Sequence, residues 1–360
     1  MKKGVYGLFK LLNISYKIIC KMKKIVLSQY IKDNINAGPK AKIDVEKILK
    51  EEYNFDIKNI PVTEDILNNK FKRIILNLKK LFYTRNNCKH ADIVVIQHPY
   101  SSQKIIYKNI QNNIVFIHDI DGLRIQNKKI LDKELELFKN ADIIIAHNNK
   151  MKNFLVNNGI MKEKIYVLEL FDYLQSNYVP KELNAIEINN IQIAYTGNID
   201  KAKFLYELNE EKMNFDINVY GPCSDNSFCE KVIYKGKFSP DEIVNNIEGN
   251  LGLVWDGKLD ESDENVGFKN YTKYNNPHKL SCYLAAGLPV IVWRKAAVAD
   301  FVQKNNIGYT ISNIYDINNL DFSTLEEKKK NAKIIGEKVR NGFFTKKIMK
   351  KILLKKGIEI

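Results

Sequence analysis

Short, wholly apolar runs recur along this chain, separated by longer stretches of helical periodicity. Ile25-Val26-Leu27, Ile93-Val94-Val95-Ile96, Ile114-Val115-Phe116-Ile117 and Ile143-Ile144-Ile145-Ala146 form the first series. Runs this short, without polar alternation, predict strands buried on both faces, as in a parallel sheet covered by helices. Helices are predicted between them: one carrying Ala41, Val45, Ile48 and Leu49, and others over 64–83, 128–139 and 149–157. From about Phe171 to Ile188 the rhythm stops; the stretch is polar, holds Pro180 and reads as a linker. The cycle then restarts with Ile191–Tyr195, Ile217–Tyr220, Leu251–Trp255, Val290–Val292 and Tyr309–Ile311 as strands. A helix is expected over 239–248, starting at Ser239-Pro240, and a lysine-rich helix over about 324–355.

The pattern predicts an α/β protein with two doubly wound, Rossmann-like domains facing an interdomain cleft. Four units follow: a basic amphipathic extension over 1–21, an N-terminal domain over 22–175, a C-terminal domain over 185–330, and a basic C-terminal helix over 331–360. That last helix is free to pack back on the N-terminal domain. Gly38, His118-Asp119, Gly197-Asn198, Tyr220-Gly221 and Trp255-Asp256 all follow predicted strands. Ligands of such sheets bind at the carboxyl ends of strands, so these residues mark the cleft.

The segment Tyr274 to Ile291 is the most informative. Asn276 reads as an N-cap and Pro277 as the first helical position. His278, Lys279, Leu280 and Ser281 follow in the first turns. Cations at a helix N-terminus oppose its dipole, unless an anion sits there between free N–H groups and Lys279. Gly287-Leu288-Pro289 ends the helix and the next strand begins. An ordinary helix start with an exposed lysine has the same local pattern; a nucleotide diphosphate is the functional alternative.

Composition adds bounds. The 360 residues are 45% hydrophobic and 28% charged, which is globular and large enough for two cores. The net charge of +15 favours acidic partners. No zinc spacing, RNP-like or helix-turn-helix pattern points to nucleic acid. Five cysteines, Cys20, Cys88, Cys223, Cys229 and Cys282, fit neither a metal knuckle nor a disulfide scaffold, so a reducing cytoplasm is expected. The first 24 residues carry seven lysines and no acid. Their apolar run is too broken to span a bilayer but suits an amphipathic helix on an anionic membrane surface; Met22 is an equally good start for the chain.

Tyr274 to Val292, with Gly252-Leu253-Val254-Trp255-Asp256-Gly257, resembles bacterial galactofuranosyltransferases of surface-polysaccharide assembly and, more distantly, bacterial adhesin glucosyltransferases. Ser28-Gln29-Tyr30, Asn36 to Lys42, Phe116 to Arg124, Tyr195 to Asn198 and Asn341 to Lys347 support the likeness, which covers about 22 to 355. It implies a GT-B glycosyltransferase whose C-terminal domain holds a UDP-sugar donor and whose N-terminal domain holds the acceptor. Such enzymes need no metal. Consistently, Asp119-Ile120-Asp121 matches an Asp-x-Asp motif in letters only and lies in the wrong half. One departure stands out: Ser281 to Gly287 contains no glutamate to reach the ribose.

The resemblance also assigns roles. Lys279 would neutralise the leaving diphosphate. Asn276, Pro277, His278, Leu280 and Ser281 would line the same pocket. Gly197 and Asn198 would let backbone approach the nucleotide, Lys201 would add a phosphate contact, and Tyr220 would border the uracil. Gly38 and Lys40 would reach the donor from the opposite domain. Asp119 is the expected general base, with His118 competing and Asp121 third. Independently of the resemblance, the acidic loop Asp256–Glu264 reads either as a segment that closes over donor or acceptor or as an ordinary solvated loop. The expected activity is transfer of galactofuranose to a hydroxyl of a lipid-linked oligosaccharide for O-antigen or capsule, in the cytoplasm, peripheral on the inner face of the cell membrane. A UDP-glucose-dependent glucosyltransferase acting on a glycoprotein is the alternative; a non-catalytic nucleotide-sugar-binding subunit is the alternative of another class. No cofactor is expected, and a homo-oligomer remains open.

Overall fold

The computed structural model describes residues 22–29, 39–59, 69–100, 107–108, 110–180, 191–259 and 270–358. The 1–21 extension, Gly38 and most of the acidic loop lie outside them.

Among the described residues, twelve parallel strands form two six-stranded sheets. In the first, β1 (Lys24–Ser28), β2 (Asp56–Asn59), β3 (Ile93–His98), β4 (Asn113–Ile117), β5 (Ile143–Ala146) and β6 (Ile165–Val167) run in the order β2-β1-β3-β4-β5-β6. In the second are β7 (Ile191–Thr196), β8 (Phe215–Tyr220), β9 (Val232–Tyr234), β10 (Leu251–Val254), β11 (Val290–Trp293) and β12 (Gly308–Ile311). Their order is β12-β11-β10-β7-β8-β9. Counted from its own first strand this is the 3-2-1-4-5-6 winding of dinucleotide-binding sheets, with the strand order reversing between β7 and β10.

Ten helices are described: α1 (Lys40–Tyr53), α2 (Lys70–Cys88), α3 (Asp121–Arg124), α4 (Lys128–Lys139), α5 (Asn149–Asn157), α6 (Ile243–Asn246), α7 (His278–Ala285), α8 (Ala299–Lys304), α9 (Leu325–Arg340) and α10 (Phe343–Lys355). The long C-terminal helix expected over 324–355 is two, divided at Gly342, which sits at φ +73. α10 lies against the N-terminal domain: the Tyr53 hydroxyl donates to Lys346 O at 2.7 Å, and Lys346 pairs with Glu52. The helix expected over 239–248 shrinks to the single turn of α6.

The segment read as a polar linker begins as core. Phe171, Asp172 and Tyr173 are 4%, 3% and 1% exposed, wedged between the domains. The Asp172 carboxylate accepts the Phe344 and Thr345 N–H groups, capping α10. From residue 181 onward that segment lies outside the described residues.

One packing detail sets the site. A Cβ on Gly252 would lie 2.2 Å from the Tyr283 ring, so only glycine lets α7 rest directly on β10. The Tyr283 hydroxyl donates to Leu253 O and accepts the Thr196 N–H at 2.7 Å. This pins α7 to the ends of β7 and β10, the two strands that flank the reversal.

Candidate active site

At that reversal lies a cavity of about 370 Å³, within the size range of ligand sites. Thr196, Gly197 and Asn198 at the end of β7, and Tyr220, Gly221 and Pro222 at the end of β8, form its floor. Phe238, Pro240, Ile243, Tyr173, His278, Lys279 and Cys282 complete it. The floor depends on two glycines in contact. Gly221 has φ +140, and a Cβ there would lie 1.8 Å from Gly197 O. The Gly197 N–H donates to Tyr220 O at 3.0 Å, so backbone rather than side chain faces the cavity.

Lys279 is the charged centre. Its Nζ donates to Trp255 O at 3.1 Å and Tyr195 Oη at 3.3 Å, and pairs with Asp256 at 3.1 Å. It also lies 4.6 Å over the Tyr195 ring. Burial pulls its pKa down, but the Asp256 carboxylate and the neighbouring Tyr195 and Tyr283 outweigh it, and the net shift is upward. The ammonium therefore stays charged at the amino end of α7, where a helix already attracts anions.

Asn276 does something other than cap. The cap position belongs to Pro277, in extended conformation, and α7 begins at His278. The buried Asn276 amide instead donates to His147 O and Glu169 O and accepts from Asn148 Nδ2 at 2.8 Å. Its N–H donates to His147 Nδ1. It is a strut between the domains, away from the cavity lining. Ser281 is likewise occupied, donating to Phe171 O at 2.6 Å, and Leu280 is fully buried core.

His278 does line the cavity. It stacks on Tyr173 at 4.9 Å, with Nε2 near Asp172 O, and burial pushes its pKa down to about 4. Cys282, also lining it, has its thiol pushed up to about 12 by burial and is inert at neutral pH. Lys201 is exposed and outside the lining. Lys40 sits behind Tyr173, 5.0 Å over its ring, tied to Asp44 at 2.8 Å and Asp241 at 3.2 Å across the domain boundary.

The opposing wall comes from the end of β4. The His118 ring stacks on Phe116 and on Phe171, at 5.1 and 5.5 Å, and Phe171 in turn meets His278 at 6.1 Å. His118 Nε2 donates to Gln97 Oε1 at 2.8 Å, which makes Nδ1 the bare acceptor; it is buried without a partner. Asp119 sits beside Arg124, at 3.4 Å, and accepts from the Tyr271 hydroxyl. Burial raises its pKa and Asp121 adds to the rise, while Arg124, Tyr271 and Lys42 pull it back. A third of its side chain remains open to solvent, so it is reachable.

Tyr271 was not foreseen from the sequence. Its hydroxyl also accepts the Ile120 N–H at 2.8 Å, so a C-terminal-domain residue orients the N-terminal wall. Phe171, Tyr173 and Arg124 were missed as well; the aromatic pair around Asp172, inside an otherwise polar stretch, was the available signal. Among the described residues no group of three or more His, Cys, Asp or Glu side chains converges on a metal position.

Two parallel-sheet domains, a cleft at their strand ends, and a lysine-bearing helix terminus at the topological reversal define a glycosyltransferase of the GT-B fold. More narrowly, the chain belongs to the glucosyltransferase 3-like family: its N-terminal domain model matches residues 23–170 and its C-terminal domain model residues 193–352. It is 29% identical over 332 residues to the beta-1,6-galactofuranosyltransferase WbbI of Escherichia coli K12, covering 88% of this chain and 94% of that one. It is 25% identical over 277 residues to glucosyltransferase 3 of Streptococcus parasanguinis, covering 72% of this chain and 78% of that one. Among solved structures, Anabaena HepE in complex with UDP and glucose superposes with a TM-score of 0.57 at 12% identity, covering 94% and 100%. The lipopolysaccharide outer core galactosyltransferase WaaB, in apo form, gives 0.59 at 14%, covering 92% and 99%. At such identities the structural likeness carries the fold.

Proposed function

We propose that this enzyme transfers galactofuranose from UDP to a hydroxyl of a lipid-linked oligosaccharide in cell-surface polysaccharide assembly. The observation that carries the donor half is Lys279, a permanently charged ammonium at the amino end of α7 beside a backbone-floored cavity. The diphosphate displaces Asp256 from Lys279, and the uridine lies toward Tyr220 and Phe238. The acceptor enters from the β4 side. Its hydroxyl oxygen bonds to the anomeric carbon, the bond to UDP breaks, and the electron pair leaves with the diphosphate. The hydroxyl proton passes to Asp119, held in place by Tyr271 and Arg124. Lys279 and the helix dipole take the stabilising role that a metal plays in other transferases. The galactofuranosyl assignment is supported by the likeness to WbbI over almost the whole chain.

A glucosyl donor is the second reading, favoured by the name of the matching family and by the streptococcal relative. A thermal-shift panel of UDP, GDP, ADP, CMP and TDP tests the donor half, because a ligand that binds only the folded state raises Tm. Stabilisation by UDP alone is expected. Stabilisation by GDP or ADP instead, or by none of the five, refutes it.

A further inference from the structure

We propose that α2 docks this protein on an anionic lipid surface, its outer face entering the headgroup layer. The helix has one buried side and one exposed apolar side. Its inner side places Leu76, Lys80 and Thr84 against the domain, all buried. Its outer side carries Phe71, Ile74, Ile75, Leu78 and Phe82, exposed by 70%, 52%, 39%, 55% and 65%. At 100° per residue these five fall within a sector about 100° wide, opposite the buried residues. Together they open on the order of 500 Å² of apolar surface, the scale at which a patch marks an interaction site.

Charge selects the partner. The nineteen residues of α2 hold six lysines and arginines and no acid. Lys72, Lys79 and Arg85 are exposed beside or along the apolar face. Lys70, Lys72 and Arg73 belong to the first turn, where a helix dipole disfavours cations, and that turn itself carries no acid. A well-capped helix, with the Asn69 side chain accepting from Phe71 and Lys72 N–H groups, thus presents an apolar strip among cations. That is the composition of an interfacial helix on anionic lipid. A protein partner or a second copy of this +15 chain offers no reason for the missing acids.

The position fits the acceptor, and this part rests on the function proposed above. On its inner side Lys80 donates to Tyr100 O, and the Thr84 hydroxyl meets the Tyr100 hydroxyl at 3.0 Å. Tyr100 follows the end of β3, next to the β4 end that carries His118 and Asp119. Docking α2 therefore brings the acceptor side of the cleft, rather than the donor domain, toward the lipid.

The test is co-sedimentation of the full chain with vesicles of phosphatidylcholine alone or mixed with phosphatidylglycerol. The comparison set is Phe71→Ser/Leu78→Ser/Phe82→Ser and a chain lacking residues 1–21. The substituted side chains are exposed, so the triple variant keeps its Tm and its stabilisation by UDP, which is read on the same samples and reports separately on the donor site. Expected are binding to the anionic vesicles only, roughly tenfold weaker binding by the triple variant, and retention in the truncated chain. Equal binding by wild type and triple variant, or loss on truncation alone, overturns the proposal. So does a triple variant that turns a dimer into a monomer without changing vesicle binding.

Discussion

Replacing Lys279 by methionine keeps an aliphatic stem of similar length in the 16%-exposed slot and removes only the charge. In the free protein the ammonium bridges Trp255 O, Tyr195 Oη and Asp256. Its loss takes one bond from each of the first two groups, which keep the Tyr195 Oη to Trp255 O bond at 3.5 Å, and costs about 1 kcal/mol of stability. Asp256, a third exposed, rehydrates and adds little. In the complex one charge-assisted contact to the diphosphate disappears, worth about 1.5–3 kcal/mol. UDP affinity should fall roughly 10- to 150-fold by titration calorimetry at 25 °C. Because the lysine's pKa is raised, the wild-type affinity should stay level through neutral and mildly alkaline pH. A folded Lys279→Met variant that binds UDP within about threefold of wild type would refute the argument, since no other cation lines the cavity among the described residues.

Three further outcomes follow from named contacts. Gly221→Ala forces a Cβ into Gly197 O and strains a φ of +140, so UDP stabilisation should vanish in thermal shift even where the variant stays soluble. Asn276→Ala removes three buried hydrogen bonds between the domains and should lower stability by about 2–4 kcal/mol in urea titrations, while UDP affinity changes far less than in the Lys279 variant. Burial pushes Asp172 up to about 7 and Asp44 up to about 6, a contribution present at low pH and lost as pH rises through those values. Burial pushes His147 and His278 down to about 4, a contribution present above their unfolded pKa of about 6.5 and lost as pH falls. The two sets oppose each other between about pH 4 and 7, so wild-type stability should be nearly flat there. Asp172→Asn, which removes one carboxylate, should become acid-labile across that window; a profile parallel to wild type contradicts this.

Central strands were readable because burial on both faces demands unbroken apolar runs: Ile143–Ala146 was delimited from sequence alone. The edge strands β2, β6 and β9 were missed: β2 and β9 because their residues are partly polar or exposed, as with Asp56, Lys58 and Tyr234, and β6 because it is only three residues long. The cavity at the topological reversal was legible where local rules decide it. Gly197, Asn198, Tyr220, His278 and Lys279 were all marked by strand ends and a helix start, and all line one cavity. Asn276 and Ser281 obey the same local rules yet face His147 and Phe171, partners more than a hundred residues away that no local pattern names. Tyr271 escaped for the same reason, since its role lies in another domain's wall.

The central claim, a UDP-sugar transferase with its base on the N-terminal wall, is tested most directly by UDP release. UDP-galactofuranose, UDP-glucose and a GDP-sugar would each be supplied with a lipid-linked oligosaccharide acceptor, using wild type and Asp119→Asn. The account predicts acceptor-dependent release from UDP-galactofuranose, slowed about 100- to 10,000-fold in Asp119→Asn with UDP binding intact. Undiminished turnover by Asp119→Asn would remove the base, and acceptor-dependent release from the GDP-sugar alone would contradict the donor site itself.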